Sequence, residues 1–202
     1  VPSRGLGDVY KRQYLYNGMV RGDFVLENGL TEIIYDGSLS QIQALQNSSR
    51  SLIYGLEFGM NWPLSQNLII KTQHNMIAGY ELNELPFSLP VRHIPPNYGN
   101  FHIVLKKGRL ILDAFVNYNS EISFKDLAES ERAKAYLYAL DKNGNPYSPS
   151  WYTINVRTKY SFSEKINCGL SFENISDKLY RPYSSGISAP GSNLIFSLNY
   201  AY

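Results

Sequence analysis

Apolar and polar residues alternate along most of this chain with a period of two. Residues 52–62 read LIYGLEFGMNW. Even positions carry Leu, Tyr, Leu, Phe, Met and Trp; odd positions carry Ile, Gly, Glu, Gly and Asn. A period of two puts these sets on opposite faces of a strand, one greasy and aromatic-ended, the other small or polar. The pattern recurs over 68–80, with Lys71, Gln73 and Asn75 on the polar face and Thr72 and His74 on the other. Phe101, Ile103 and Leu105 oppose His102 and Lys106. Leu110, Leu112, Ala114, Val116 and Tyr118 oppose Asp113 and Asn117, although Ile111 and Phe115 interrupt that polar face. Tyr152, Ile154, Val156, Tyr160 and Phe162 oppose Asn155, Arg157 and Lys159. Ile166, Cys168, Leu170 and Phe172 oppose Asn167, Ser171 and Glu173. Leu194, Phe196, Leu198, Tyr200 and Tyr202 oppose Asn193, Ser197 and Asn199. Seven strands follow, and no Asp, Glu, Lys or Arg stands on these apolar faces. The lipid face of a membrane barrel requires this, since a mid-bilayer Lys or Arg costs roughly 2–4 kcal/mol. A soluble sandwich packs its apolar face on a core and alternates in the same way.

The connections separate these two readings. They run alternately short and long. The short ones are 63–67, 107–108 and 163–165; the long ones are 81–96, 119–150 and 174–192. All short turns then lie at one end of an antiparallel sheet and all long loops at the other, the asymmetry of a bacterial outer-membrane barrel. Aromatic residues near strand ends (Tyr54, Trp62, Tyr80, Tyr118, Tyr152, Phe162, Tyr200, Tyr202) suit interfacial girdles. Earlier in the chain, 14–25 is an expected ascending strand, Glu27-Asn28-Gly29 a turn, 31–35 the returning strand, and 37–50 rim strand and loop. Residues 124–138 read as a short helix within the 119–150 loop, and 141–149 as turn-rich.

Composition narrows the function. Net charge is +2, which offers no strongly basic face for nucleic acid. One cysteine, Cys168, permits no internal disulfide and no cysteine-based zinc site; it reads as a small apolar filler facing lipid. No apolar run approaches the roughly 18 residues that a membrane helix needs. Residues 1–13, VPSRGLGDVYKRQ, resemble a translated sequencing-adapter read-through of the kind found at the ends of fragmentary environmental genes. They are expected to form no domain, with the domain occupying 14–202 and the protein continuing upstream.

Several segments resemble the TonB-dependent outer-membrane receptors. These are NSSRSLIYGLE at 47–57, PVRHIPPNYG at 90–99, SPSWYTIN at 148–155, FENISDK at 172–178 followed by Tyr180-Arg181, and YSSGISAPGSN at 183–193, the last as in Bacteroidetes-like members. Each is weak alone, but five in family order and at family spacing are specific. Two positions depart from the pattern: Ser192 stands where Arg is common, and Tyr202 where the terminal residue is commonly Phe. The resemblance implies an all-β, antiparallel up-and-down meander supplying about eight strands of a 22-stranded transmembrane barrel, an open partial barrel in isolation. It also implies a bacterial outer-membrane location and import of a siderophore, haem, cobalamin or oligosaccharide, driven through TonB. The plug and TonB box are expected outside this chain, and no enzyme activity or cofactor is expected.

Candidate residues fall into three groups. Glu57, Lys71, Asp113, Arg157, Lys159 and Glu173 face the expected lumen, as wall residues that pair with the plug or one another. Phe87, Tyr136, Tyr138, Tyr147, Tyr180 and Tyr183 are loop aromatics placed to touch an imported small ligand. Leu194, Phe196, Leu198, Tyr200 and Tyr202 form the C-terminal signal for the barrel-assembly machinery. Outer-membrane lipid is the remaining partner. His74, His93 and His102 lack ligand spacing and read as ordinary barrel or rim residues. Glu129 and Glu131, with Arg132 and Lys134, read as a solvated loop helix. The alternatives are a passive porin-type barrel and a soluble secreted carbohydrate-binding β-protein. The latter requires the apolar faces to pack into a closed core.

Overall fold

The computed structural model describes residues 8–16, 19–23, 29–47, 50–82 and 89–201, with side chains described for 29–42, 51–82 and 89–201. Strands β1 (Asp8–Tyr16), β2 (Met19–Asp23), β3 (Glu32–Tyr35), β4 (Ser38–Gln41) and β5 (Gln43–Asn47) precede β6 (Arg50–Pro63) and β7 (Leu68–Leu82). A short β8 (Leu89–Pro90) leads to β9 (Tyr98–Lys107) and β10 (Leu110–Asn119). Then come β11 (Ala139–Leu140), β12 (Pro146–Tyr147), β13 (Trp151–Ser161), β14 (Ile166–Glu173) and β15 (Asn193–Tyr200). The main sheet runs β1-β6-β7-β9-β10-β13-β14-β15, with β8 beside β7. The pairs along this path are antiparallel. The sheet is an open meander of eight long strands, seven of them the ones the alternation predicted.

Register turns seven alternating strands into one surface. Leu56 opposes Met76, Ile70 opposes Ile103, and Ile103 opposes Ala114. Ala114 opposes Val156, Val156 opposes Phe172, and Phe172 opposes Leu194. The apolar face assigned to each strand is therefore continuous from β6 to β15. It is also uncovered: Tyr54, Leu56, Ile103, Ile154, Leu170, Phe196 and Leu198 are all exposed. A sandwich would bury these positions under a second sheet, so the packing requirement of the soluble alternative is not met. Lys107 lies on this face, beside the short turn at its rim, where a long side chain can reach headgroups. Tyr54 and Tyr80 pack at 6.3 Å near the long-loop end, while Tyr160 and Phe162 meet edge-to-face at 4.8 Å near the short-turn end.

Thr72 and His74, the polar side chains that β7 places on the apolar face, satisfy each other. Thr72 donates its hydroxyl to the Asn100 carbonyl at 2.8 Å. Its Oγ1 lies 2.6 Å from His74 Nε2, and the Tyr118 hydroxyl lies 2.7 Å from His74 Nδ1. A neutral imidazole protonated on Nε2 fits all three contacts. Gly99 makes the cluster possible, because a Cβ there would stand 2.7 Å from His74 Nδ1 and 2.9 Å from Tyr118 Cε1. Gly99→Val is expected to destabilise the barrel by about 1–3 kcal/mol through overpacking. Urea titration of the intact protein in lipid vesicles measures this.

The N-terminal third departs from the expected pairing. The return strand over 31–35 was assigned to 14–25, with a turn at Glu27-Asn28-Gly29. Instead β3 pairs with β4, and β2 with β5. The β3–β4 hairpin closes on Asp36-Gly37, whose φ values of 49° and 74° are the two positive angles that a type I′ turn needs. Glu27 and Asn28 lie outside the described residues. Strand β1 begins at Asp8, inside the stretch 1–13 that was expected to form no domain, and pairs with β6 from Asp8↔Gly59 to Tyr16↔Ser51. A sheet edge offers unpaired backbone groups to any extended segment, whatever its side chains. The helix expected over 124–138 is broken into single turns at Phe124–Asp126, Glu129–Arg132 and Ala135–Leu137. Ala128 supplies no side-chain cap, and Leu127 is fully buried between the first two turns.

Candidate functional site

On the polar face, charged groups from neighbouring strands gather around one aromatic ring. Phe115 is buried there, although the alternation marked it as an interruption. His102 stacks on it at 4.8 Å, and the Arg157 guanidinium lies 5.2 Å from its centroid. His102 Nδ1 lies 2.9 Å from Asp113 Oδ1, and Asp113 opposes Arg157 in register. Arg157 in turn donates to Glu173 Oε1 at 3.3 Å. Asp113, Arg157 and Glu173 therefore join one ladder with His102. Glu57 instead accepts from the Gln73 amide at 3.1 Å, while Lys71 and Lys159 are exposed and outside the ladder. Surface pairs of this kind contribute little stability each, so the ladder mainly sets the electrostatic character of the wall.

Above the sheet, two asparagines hold the last long loop. Asn155 is buried on β13 and donates to the Phe115 carbonyl at 3.3 Å. Its Oδ1 accepts the Asn174 backbone N–H at 2.8 Å. Asn174, with φ of 49°, donates Nδ2 to the Lys178 and Pro190 carbonyls at 2.9 and 3.2 Å and accepts the Lys178 N–H at 2.9 Å. Asp177 Oδ1 accepts the Ser192 N–H at 2.8 Å, closing the far end of the loop. The Asn-x-x-Asp pair of the 172–178 segment thus acts as a loop clamp, since Asn and Asp combine local acceptors with tolerance of left-handed backbone.

The 119–150 loop folds back onto this clamp. Ile122, Leu127 and Tyr138 form the buried apolar cluster among the described residues, with Leu137 and Tyr183 against it. Glu131 is inside the same contact, only 3% exposed. This corrects the reading of Glu131 as part of a solvated helix: the chain reverses around it, and the Tyr183 hydroxyl donates to both its oxygens at 2.7 and 2.8 Å. Tyr138 donates to Oε1 at 3.2 Å, and His93 Nδ1 approaches Oε1 to 3.4 Å. Burial, followed by the hydrogen bond to Glu131, pushes the Tyr183 phenol well above its ordinary range. Tyr138 is raised first by burial, with the Glu131 charge adding to it.

Beside this cluster lies a cavity of roughly 270 Å³, with Trp151, Tyr147, Tyr180, Lys178 and Arg181 in its walls. Tyr180 packs on Trp151 at 4.1 Å, and the buried Trp151 Nε1 has no hydrogen-bond partner among the described residues. Among the described residues, two cations and no carboxylate line this space. In the turn between β11 and β12, the Asp141 carboxylate is held below its usual range, chiefly by the Asn145 backbone amide at 2.8 Å. A depressed carboxylate stabilises the turn above its unfolded pKa and loses that contribution as pH falls through the folded value. Acidification is therefore expected to lower the exchange protection factors of the Asn143 and Asn145 amides, and Asp141→Asn to remove that dependence.

The loop aromatics expected to touch ligand divide accordingly. Tyr138 and Tyr183 hold Glu131, Tyr147 and Tyr180 line the cavity, Tyr136 is exposed, and Phe87 lies outside the described residues. Trp151, Glu131 and His93 were absent from that set. Trp151 carried a signal, an aromatic at the head of a strand below a long loop; Glu131 and His93 carried none. In the C-terminal strand Leu194, Phe196, Leu198 and Tyr200 are exposed on the open edge, and Tyr202 lies outside the described residues.

No protein-family profile and no curated protein sequence matches this chain. Solved structures do. The copper transporter OprC superposes with a TM-score of 0.66 at 15% identity, over 97% of this chain and 29% of that one. A mutant ferric enterobactin receptor, PfeA, from Pseudomonas aeruginosa gives 0.66 at 17%, over 97% and 29%. The unliganded ferric citrate transporter FecA gives 0.56 at 14%, over 96% and 28%. These neighbours are transporters and receptors, and this chain spans under a third of each. The fold of this chain is accordingly that of a barrel segment of the TonB-dependent outer-membrane receptors.

Proposed function

We propose that this chain is the C-terminal part of the barrel of a TonB-dependent outer-membrane receptor, and that the intact protein imports a scarce anionic metal chelate. The observation that carries this reading is the apolar face, continuous and uncovered from β6 to β15, beneath long loops packed into an ordered cap at one end. That face meets outer-membrane lipid. The exposed β15 engages the barrel-assembly machinery and then the first barrel strand, because an unpaired edge cannot persist in hydrocarbon. The ladder of His102, Asp113, Arg157 and Glu173 faces the plug, through which TonB acts.

The chelate class rests on the cavity. Aromatic walls and two cations suit a planar anion rich in oxygen acceptors. The neighbouring folds whose names specify copper, ferric enterobactin and ferric citrate make a metal-bearing cargo the first class to test. Trp151→Ala and Arg181→Ala are each expected to raise the half-saturation concentration for uptake about tenfold, equivalent to about 1.4 kcal/mol. Radiolabelled chelate uptake by cells expressing each full receptor checks this, and unchanged saturation in both would remove the cavity from the cargo path.

The parent gene tests the transport reading itself. Reading upstream of the codon for Tyr14 is expected to yield further alternating strands, a plug and a TonB box. A start codon and secretion signal immediately upstream would make this a small barrel of its own, and the importer reading would be withdrawn.

A further inference from the structure

We propose that the short-turn rim of the sheet binds the headgroup of an anionic glycerophospholipid, through Lys107, Arg109 and Lys165 around the Tyr160–Phe162 ring pair. The inference rests on the reading that the apolar face meets lipid, and adds which lipid the rim selects.

The two turns that carry these cations lie side by side. Gly108 and Arg109 join β9 to β10, and residues 162–165 join β13 to β14. The Arg109 guanidinium donates to the Phe162 carbonyl at 2.7 Å, and the Arg109 carbonyl accepts the Ser161 N–H at 3.0 Å. These bonds pin the first turn to the second. Ser163 Oγ closes the second turn by accepting the Lys165 and Ile166 N–H groups at 3.2 and 3.1 Å. The cations therefore stand on fixed backbone. Lys107, Leu110 and Tyr160 form one row across β9, β10 and β13 on the apolar face, about 10 Å from end to end. The rings of Tyr160 and Phe162 are exposed at the end of that row.

Charge separates this part of the rim from the rest. Residues 106–109 and 162–165 hold four cations and one carboxylate, Glu164, whereas the turn at 64–67 holds no charged residue. Among the described residues, the ion pairs are His93–Glu131, His102–Asp113 and Arg157–Glu173. No carboxylate therefore neutralises Lys107, Arg109 or Lys165. A lysine at the edge of hydrocarbon reaches out along its flexible stem for water or an anion. A phosphodiester supplies the anion. The Arg109 guanidinium, with one N–H on the Phe162 carbonyl, keeps further donors in the planar fork that matches phosphate oxygens. The aromatic rings suit the glycerol and ester level, and the acyl chains continue over the apolar face. Net charge selects the headgroup. A zwitterionic lipid brings its own ammonium against a positive rim, and an anionic glycerophospholipid does not.

The test reconstitutes the full receptor in vesicles of phosphatidylethanolamine that contain phosphatidylglycerol with a photoreactive headgroup. Adducts are mapped by peptide mass spectrometry and are expected on 106–110 and 160–166. Phosphatidylethanolamine with the same headgroup probe should label these segments more weakly. Lys107→Gln and Lys165→Gln should each lower the labelling about fivefold, equivalent to about 1 kcal/mol. Lys107→Arg, which keeps the charge, and Lys142→Gln, on an exposed turn of a long loop, should leave it unchanged. Heat-dependent gel mobility confirms that each variant is folded. Equal labelling by the two headgroups overturns the site, as does labelling that survives the double variant Lys107→Gln, Lys165→Gln. Inorganic phosphate that displaces the lipid better than chloride of equal ionic strength would overturn the lipid as ligand. A photoprobe on the acyl chain tests the underlying reading separately. Acyl labelling of the apolar face without headgroup selectivity would remove this site and leave the membrane reading standing.

Discussion

Ile103→Arg is expected to prevent stable insertion of the barrel into lipid vesicles. Ile103 lies mid-strand in β9, between Ile70 and Ala114 on the continuous apolar face, and is 46% exposed. An arginine at mid-bilayer depth costs roughly 2–4 kcal/mol, a large part of the 5–15 kcal/mol typical of folded proteins. Gln73→Arg serves as the comparison. Gln73 is on the opposite face, between Gly59 and Asn100 in register, and its substitution should change stability by less than about 0.5 kcal/mol. Urea titration of both variants of the full receptor in vesicles measures the difference. Equal losses would mean that the apolar face does not meet lipid.

Asn174→Ala is expected to release the last long loop. The change removes three side-chain hydrogen bonds, to the Lys178 N–H and to the Lys178 and Pro190 carbonyls. At about 1 kcal/mol each, these contribute about 3 kcal/mol. Alanine in left-handed backbone adds about 1 kcal/mol. Asn174→Gly should recover that last part alone. Hydrogen exchange at the Lys178 amide is expected to accelerate at least a hundredfold in the alanine variant, since 1.4 kcal/mol is one decade. An unchanged rate would show that the clamp is not what orders the loop. Because Tyr180 and Tyr183 follow directly from Asn174, the same variant should weaken both the cavity and the Glu131 cluster.

The strands were legible because their information is local. Every second residue between 52 and 62 is apolar, and a strand that alternates has few other ways to lie at a water-lipid boundary. Parity did the rest: with even positions outward on β6, β7, β14 and β15 and odd positions outward on β9, even pairs with even across β6, β7 and β14, β15, and even with odd across β7, β9 and β10. Errors came where the local signal was ambiguous. Asn28-Gly29 and Asp36-Gly37 are both hairpin dipeptides, and only the second closes a hairpin whose two strands are both described. Phe115 looked like a break in a polar face because alternation cannot register that His102 and Arg157 sandwich it.

The loops behaved differently. Glu131 looked like one charge in a solvated run of charges, and His93 like one isolated histidine. Their meeting depends on backbone reversals that carry no period, and the Tyr183 hydroxyl reaches Glu131 from 52 residues away. By itself, the sequence determined the β class, the register parity, an apolar face free of charge away from its rim and the separation of short turns from long loops, because each follows from side chains one or two positions apart and from the cost of charge in hydrocarbon. Only the tertiary structure decided which loop residues are buried, which line the cavity and which side chains surround Glu131, because contacts between distant loops are set by how three chain segments pack against one another.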